Sequence, residues 1–293
     1  MSLKTRLKTI GRIVNSLETQ FGQGAIPLLD TTRKRPLRGT VSTGLPALDA
    51  SLGVRGWPRS RITELFGPPG SGKTTLALHA VCSCQESGGL AAFLDVEHAL
   101  DLTYAESVGV NLKELLLIRP THGEQALDLV DSLVQQGVDL VVIDSVAALI
   151  PKEELNGTME DQHLGGQALL MSQALRKIVG ILHKHPTALL FTNQIRHGLD
   201  PRLGRFETTA GGNALKFYAS LRVDLRRRHR WLEGERVVGE QIEANVIKNK
   251  LAMPFQSATL WLRHGQGFVE RKTPQNHEEP VQQEEVTTLQ QSA

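Results

Sequence analysis

The chain has 293 residues, of which 40% are apolar and only 4% aromatic, and its formal net charge is +2. That length suits one large domain or two small ones, and the core it can bury must be aliphatic. No apolar stretch approaches the ~20 residues of a membrane span. The N-terminus scatters Lys4, Arg6, Lys8 and Arg12 without an apolar run, so no signal peptide and no membrane partner are expected, and the cytoplasm is the expected location.

The net charge is too small to imply a nucleic-acid partner, but its distribution is uneven. Residues 274–293 hold four glutamates and no Lys or Arg, and without them 33 basic residues face 27 acidic ones. A mildly basic body therefore carries an acidic tail. Cys82 and Cys84 share one amphipathic stretch, too close for a disulfide and without further metal ligands nearby, and both are expected to be reduced.

Along the chain, Leu3, Leu7, Ile10, Val14, Leu17 and Phe21 alternate in steps of four and three. This predicts a helix over 3–21 with a narrow apolar stripe, stopped by Gly22 and Gly24. Such a stripe fits docking on its own domain and packing on a neighbouring subunit equally well. Residues 30–41 are polar and basic, as in a linker. From Ile62 onward, short apolar runs predict strands at Ile62–Phe66, Ala91–Asp95, Leu115–Ile118, Leu140–Asp144 and Leu189–Thr192. Amphipathic stretches at 73–87, 122–136 and 161–184 predict the helices between them. This alternation implies βαβ units, and so an α/β fold with a mostly parallel sheet covered on both faces. Segments 220–226, 241–248 and 258–263 predict strands without intervening helices, an antiparallel extension at one edge. Residues 274–293 are too polar to order.

Gly67, Pro68, Pro69, Gly70, Ser71, Gly72, Lys73 and Thr74, followed by Thr75, fit G-x-x-x-x-G-K-[ST] between a strand and a helix. The glycines turn backbone N–H groups onto phosphate oxygens, and the helix N-terminus adds partial positive charge. Lys73 is placed to reach the β- and γ-phosphates and Thr74 to ligate Mg²⁺. Asp144 ends an apolar strand, where an acid can share the Mg²⁺ with Thr74. Glu97 follows the strand Ala91–Asp95, at the end where such sheets place ligands, and can orient the attacking water; Asp95 and Asp101 compete for that role. Gln194 ends another strand, where an amide can sense the γ-phosphate.

These residues carry a family likeness. From about residue 3 to 270 the chain resembles the bacterial RecA recombinase family. The matching blocks are 67–75, 94–101 (LDVEHALD), 141–145, 171–177 (MSQALRK), 193–196 (NQIR), 208–220 (TTAGGNALKFYAS) and 248–250 (KNK). The resemblance implies a RecA-like P-loop ATPase core over 34–270, a polymerisation arm over 1–33 and a disordered acidic tail over 271–293. It implies ATP and Mg²⁺ as cofactors, Glu97 as the catalytic glutamate, Gln194 as the coupling residue, and Asp101 and Tyr104 near the adenine. Lys248 and Lys250 match lysines that reach a neighbour's ATP, and Lys216 and Phe217 match interface residues.

Two segments resemble DNA-binding loops, about 156–165 and 195–209, and their Gly-rich polar composition predicts flexibility. The resemblance places Leu164 and Leu199 at the loop tips that enter the base stack. It places Ser172, Arg176, Arg196, Thr208, Gly211, Gly212 and Asn213 against the DNA. The implied function is a filament on single-stranded DNA that pairs with homologous double-stranded DNA and exchanges strands, with a LexA-type repressor as a possible further partner. The chain departs from the family pattern at Leu169, Glu243, Asn245 and His264, and the family's small C-terminal domain is not expected. Arg226, Arg227, Arg228 and Arg230 form a basic run that is either a solvated strand end or a phosphate-contacting patch. The rival readings are a RecA-derived accessory protein without strand exchange and a small-molecule P-loop kinase.

Overall fold

The computed structural model describes residues 2–22, 39–157, 165–200, 204–270 and 278–280. The chain divides into two units, residues 1–36 and 37–293. The first holds α1 (Leu3–Phe21), capped by Ser2, whose hydroxyl accepts the Thr5 N–H at 3.3 Å. Leu3, Leu7, Ile10 and Phe21 of the expected stripe are exposed, as is Ile13.

The second unit opens with β1 (Thr40–Val41), α2 (Pro46–Ser51) and β2 (Trp57–Pro58). β1 pairs with β2, so the expected linker gives way to structure by residue 40. There follow β3 (Arg61–Gly67), α3 (Lys73–Glu86), β4 (Ala91–Asp95), α4 (Leu102–Val108), β5 (Leu115–Ile118), α5 (Gly123–Gln135), β6 (Leu140–Asp144) and the short α6 (Lys152–Asn156). Next come α7 (Gly166–Leu182), β7 (Ala188–Asp200), β8 (Gly204–Thr209), α8 (Ala214–Tyr218), β9 (Leu221–Glu233), β10 (Arg236–Asn249), β11 (Ser257–Arg263), β12 (Gly267–Val269) and β13 (Glu278–Pro280). The main sheet runs β12, β11, β10, β9, β3, β7, β6, β4, β5. From β9 to β5 neighbouring strands are parallel, and β10, β11 and β12 add an antiparallel edge, as the helix-free end of the sequence predicts.

The central strands are buried on both faces, which is why they appear in the sequence as unbroken apolar runs. Leu140, Val142, Ala188 and Leu190 face one core with α2 and α3. Val141, Ile143, Leu189 and Phe191 face the other with α5, α7 and α8. α3 is buried along Leu76, Ala77, Leu78, Ala80, Val81 and Cys84. Both cysteines are free, and burial pushes the Cys84 thiol up to about 11.

Two expectations are corrected. Residues 195–200 and 204–209 are paired strands, not loop: β7 continues to Asp200 and pairs antiparallel with β8, Ile195 opposite Thr209 and Asp200 opposite Gly204. A ladder of backbone hydrogen bonds orders this segment without needing an apolar face, so its polar composition hid it. The tail is not wholly without structure either. Residues 278–280 extend the sheet on β9, with Glu278 opposite Trp231 and Pro280 opposite His229. Backbone pairing with an existing strand requires no apolar burial from the tail itself. Its remaining residues lie outside the described ones.

His79 ties the sheet edge to α3. Its Nε2 accepts the Phe268 N–H at 2.8 Å, the two rings lie 5.7 Å apart, and burial pushes the imidazole from its ordinary 6.5 down to about 4. Between these values the unfolded chain binds more protons than the folded one. The stability held by neutral His79 is therefore fully present above pH 6.5 and is lost as the pH falls toward 4. His79→Gln is expected to flatten the pH dependence of the melting temperature across this window; an unchanged slope in thermal melts at pH 4 to 7 would show that another group controls it.

Candidate functional site

The phosphate loop sits where β3 gives way to α3. Gly67 is dictated by close approach: a Cβ there would stand 2.4 Å from the Leu225 carbonyl oxygen and 2.7 Å from Ser71 Oγ. Lys73 Nζ donates to the Gly67 and Pro68 carbonyls, at 3.1 and 2.8 Å. Burial lowers the pKa of this amine, Asp144 and Glu97 oppose that shift, and Arg227 adds to it. Thr74 Oγ1 donates to Asp144 Oδ2 at 2.7 Å, and Thr192 Oγ1 donates to Asp144 Oδ1. Burial raises the Asp144 pKa against the two hydroxyl hydrogen bonds, which lower it. Thr75 Oγ1 and Tyr104 Oη lie 2.9 Å apart.

These residues fit a nucleotide triphosphate with Mg²⁺. Ser71 Oγ is buried with no hydrogen-bond partner among the described residues. Lys73 is turned onto carbonyls of its own loop, and a hydroxyl and a carboxylate stand side by side at Thr74 and Asp144. Among the described residues no group of three or more His, Cys, Asp or Glu forms an all-protein metal site. A hard cation is thus left with one hydroxyl, one acid and the oxygens of a phosphate, the ligand set that suits Mg²⁺.

The structure separates the three competing acids. Asp95 accepts the Ala99 and Leu100 N–H groups at 3.0 and 3.3 Å and pairs with Arg119 at 3.2 Å. Asp101 caps α4, accepting from Thr103 N and Tyr104 N at 2.8 and 3.2 Å. Glu97 alone has no such local task; it is exposed, and its Oε1 accepts from Gln194 Nε2 at 3.0 Å. Gln194 is the last β7 residue paired to β3, opposite Gly67.

Lys248 and Lys250 do not join this cluster. Lys248 Nζ donates to the Lys216 and Phe217 carbonyls, and Lys250 Nζ to that of Phe217 at 3.2 Å. Burial lowers the Lys248 and Lys216 amines. Phe217 is 73% exposed.

The residues that the resemblance sets against DNA lie on α7, the β7–β8 hairpin and the 210–213 turn. Arg196, Gly165, Gln167 and Gly212 line one cavity of about 340 Å³. Gly212 has φ +73°, and a Cβ there would stand 2.8 Å from Ala168 Cβ, so only glycine lets the 210–213 turn lie against α7. Gly211 (φ +78°) and Asn213 belong to the same turn. Ser172 and the exposed Arg176 lie on α7, and Thr208 accepts from Lys216 Nζ on β8. Leu199 stands in β7 opposite Arg205. Leu164 and most of the first loop lie outside the described residues.

The basic run is largely neutralised within the chain. Arg226 pairs with Glu207 and Asp224, Arg227 with Glu240 at 3.5 Å, and Arg228 with Glu243.

Residues 8–269 match the family described as the RecA N-terminal domain. The chain belongs to the RecA family. It is 49% identical to Protein RecA of Thermotoga neapolitana over 267 residues, 90% of this chain and 76% of that protein. It is 51% identical to Protein RecA of Desulforapulum autotrophicum over 262 residues, 89% of this chain and 75% of that protein. To Protein RecA 1 of Myxococcus xanthus it is 48% identical, over 91% of this chain and 78% of that protein. Family membership accounts for the α/β fold.

Sequence reasoning missed Thr192, Glu64, Arg222 and Glu207. One signal was available: Glu64 interrupts the apolar run Ile62–Phe66, and an acid inside a buried strand needs partners. No helix among the described residues is long and apolar enough to cross a membrane.

Proposed function

We propose that this chain is a DNA-dependent ATPase that assembles on single-stranded DNA as a helical filament, pairs it with homologous duplex and exchanges strands. One observation carries the reading: the phosphate-loop cluster and the Lys248–Lys250 pair stand on one chain without meeting. Lys73, Thr74, Asp144, Glu97 and Gln194 form a phosphate-and-water side. Lys248 and Lys250 rest on the backbone of α8, beside the exposed Phe217. A second copy that brings its lysines to the first copy's phosphates completes the site, which ties turnover to assembly.

Within the completed site each side chain has a bounded task. Lys73 leaves its loop carbonyls for the β- and γ-phosphate oxygens. Thr74 and Asp144 would hold Mg²⁺, which would supply neutralisation of phosphate charge. Glu97 accepts a hydrogen bond from the attacking water, and Gln194, now paired with Glu97, reports the γ-phosphate to the 195–209 hairpin. Arg176, Arg196 and the 211–213 turn hold the DNA backbone, which gives binding without sequence preference. Residues 1–33 serve as the polymerisation arm, and the chain works in the cytoplasm.

A second reading has an observation of its own. Arg226, Arg227 and Arg228 are each paired with carboxylates, Arg228 with Glu243. This weakens capture of a second, duplex DNA and favours a filament-forming accessory protein that does not exchange strands.

Hydrolysis of ATP by wild type and Glu97→Ala, with and without single-stranded DNA, tests the main reading. The expected result is a DNA-stimulated wild-type rate that falls about 10²- to 10³-fold in the variant. A rate indifferent to DNA would sink it. Strand exchange between circular single strands and linear duplex then separates the two readings.

A further inference from the structure

Bonded to Asn193, the residue before Gln194, is a buried carboxylate with no role in phosphate binding. Glu64, in the middle of β3, is fully buried. Its Oε1 accepts from Asn193 Nδ2 at 2.9 Å, and its Oε2 accepts from Arg222 Nε. Arg222 also lies over the Phe66 ring, 4.7 Å from its centre. Every polar group of the Asn193 side chain is committed. Nδ2 donates to Glu64 and, at 3.0 Å, to the Ala210 carbonyl, while Oδ1 accepts the Gln194 N–H at 2.9 Å. Ala210 in turn donates its N–H to the Gln194 carbonyl at 3.3 Å. The residue that contacts Glu97 and the residue that begins the Gly211–Gly212 turn are thus held as one rigid unit, anchored at Glu64.

A buried ion pair contributes little net stability compared with well-packed apolar residues. What it can supply is one fixed arrangement, and the hairpin beside it has space into which to move. A cavity of about 240 Å³, lined by Phe66, Ile195, Thr208, Thr209 and Arg222, lies beside the hairpin. Thr209 Oγ1 is buried with no hydrogen-bond partner among the described residues, so this hairpin position leaves a polar group unsatisfied that a shift could satisfy. Coupling between sites requires such an element with two arrangements.

We propose that Glu64 is a positioning residue that, through Asn193 and Arg222, locks the nucleotide-sensing Gln194 to the base of the DNA-facing hairpin. A displacement of Gln194 by a γ-phosphate then moves Ala210 and the turn behind it instead of dissipating in side-chain rotation. Glu64 also draws on the Lys216 and Lys248 amines, opposing the effect of their burial. The inference rests on the proposed function, since it assigns the link between its two sites.

The test uses Glu64→Gln, which keeps size and removes charge, and Asn193→Ala, which removes the bridge to Ala210. Three quantities are measured in the full chain: the dissociation constant of a fluorescent ATP analogue without DNA, the stimulation of ATP hydrolysis by oligo-dT, and the factor by which a non-hydrolysable ATP analogue tightens oligo-dT binding. Circular dichroism melts establish which variants fold, and Asn193→Ala decides if Glu64→Gln does not. Expected are nucleotide affinities within about twofold of wild type, with stimulation and tightening both reduced about tenfold. A folded variant that keeps wild-type stimulation and tightening overturns the proposal. So does one whose nucleotide affinity falls in the same proportion as its DNA response, because a merely structural role predicts that. A wild type with no DNA response overturns the underlying function, and is told apart because it appears without any substitution.

Discussion

Lys73→Ala is expected to reduce ATP hydrolysis about 10²- to 10³-fold and to weaken nucleotide binding as well. The structure gives two reasons beyond the loss of a phosphate contact. The amine is the buried cation between Asp144 and Glu97, and both carboxylates act on it. It also satisfies the Gly67 and Pro68 carbonyls, so its removal leaves two inward-facing acceptors without that donor. Lys73→Arg is expected to fail nearly as badly, because a planar guanidinium does not reproduce the compact ammonium that the loop carbonyls hold. Steady-state rates at saturating ATP, together with dissociation constants from nucleotide fluorescence, check this. A Lys73→Ala protein with wild-type turnover would show that the loop does not hold the reacting phosphate.

The second large effect is a rescue. Glu97→Ala and Lys250→Ala are each expected to be nearly inactive alone, for different reasons. On the proposed function, the first lacks the carboxylate that orients water on its own phosphate side, and the second lacks a cation lent to its neighbour. In a head-to-tail assembly of equal amounts of both, about one interface in four joins an intact Glu97 to an intact Lys250. The mixture is therefore expected to recover about a quarter of the wild-type DNA-stimulated rate, a figure that follows from random mixing of a heterologous interface. If the lysines served their own chain's phosphates, no mixture would recover activity. The rates of the two variants, alone and mixed, on single-stranded DNA decide between these arrangements. The geometry favours rescue, since Lys248 and Lys250 are bonded to the backbone of residues 216 and 217 and to no group of the phosphate loop.

Not all of the site was legible beforehand. Glu97, Asp95 and Asp101 cluster within seven residues, and their side chains are alike; only the turn after β4 shows that Asp95 and Asp101 are used to hold backbone N–H groups. The basic run at 226–230 was ambiguous for a similar reason. Its charges are local, but of the carboxylates that neutralise them only Asp224 is local, and Glu207, Glu240 and Glu243 come from β8 and β10. The hairpin at 195–209 was read as a loop because ladder hydrogen bonds belong to the backbone and leave no mark on composition.

What the sequence alone determined are features written in contiguous residues. The phosphate loop needs its glycines and lysine within eight positions. The doubly buried strands need unbroken aliphatic runs, and the helices need apolar residues at helical spacing. Each is a short-range constraint, so periodicity and motif expose it. The tertiary structure alone decided the pairings that join distant segments: Thr74 to Asp144 across 70 positions, Gln194 to Glu97 across 97, and Glu64 to Asn193 and Arg222 across 129 and 158. A buried polar group must find a partner, but its own sequence neighbourhood does not say which one. Strand order in the sheet makes that choice, placing β3 between β7 and β9 and so putting the carboxylate of Glu64 between Asn193 and Arg222.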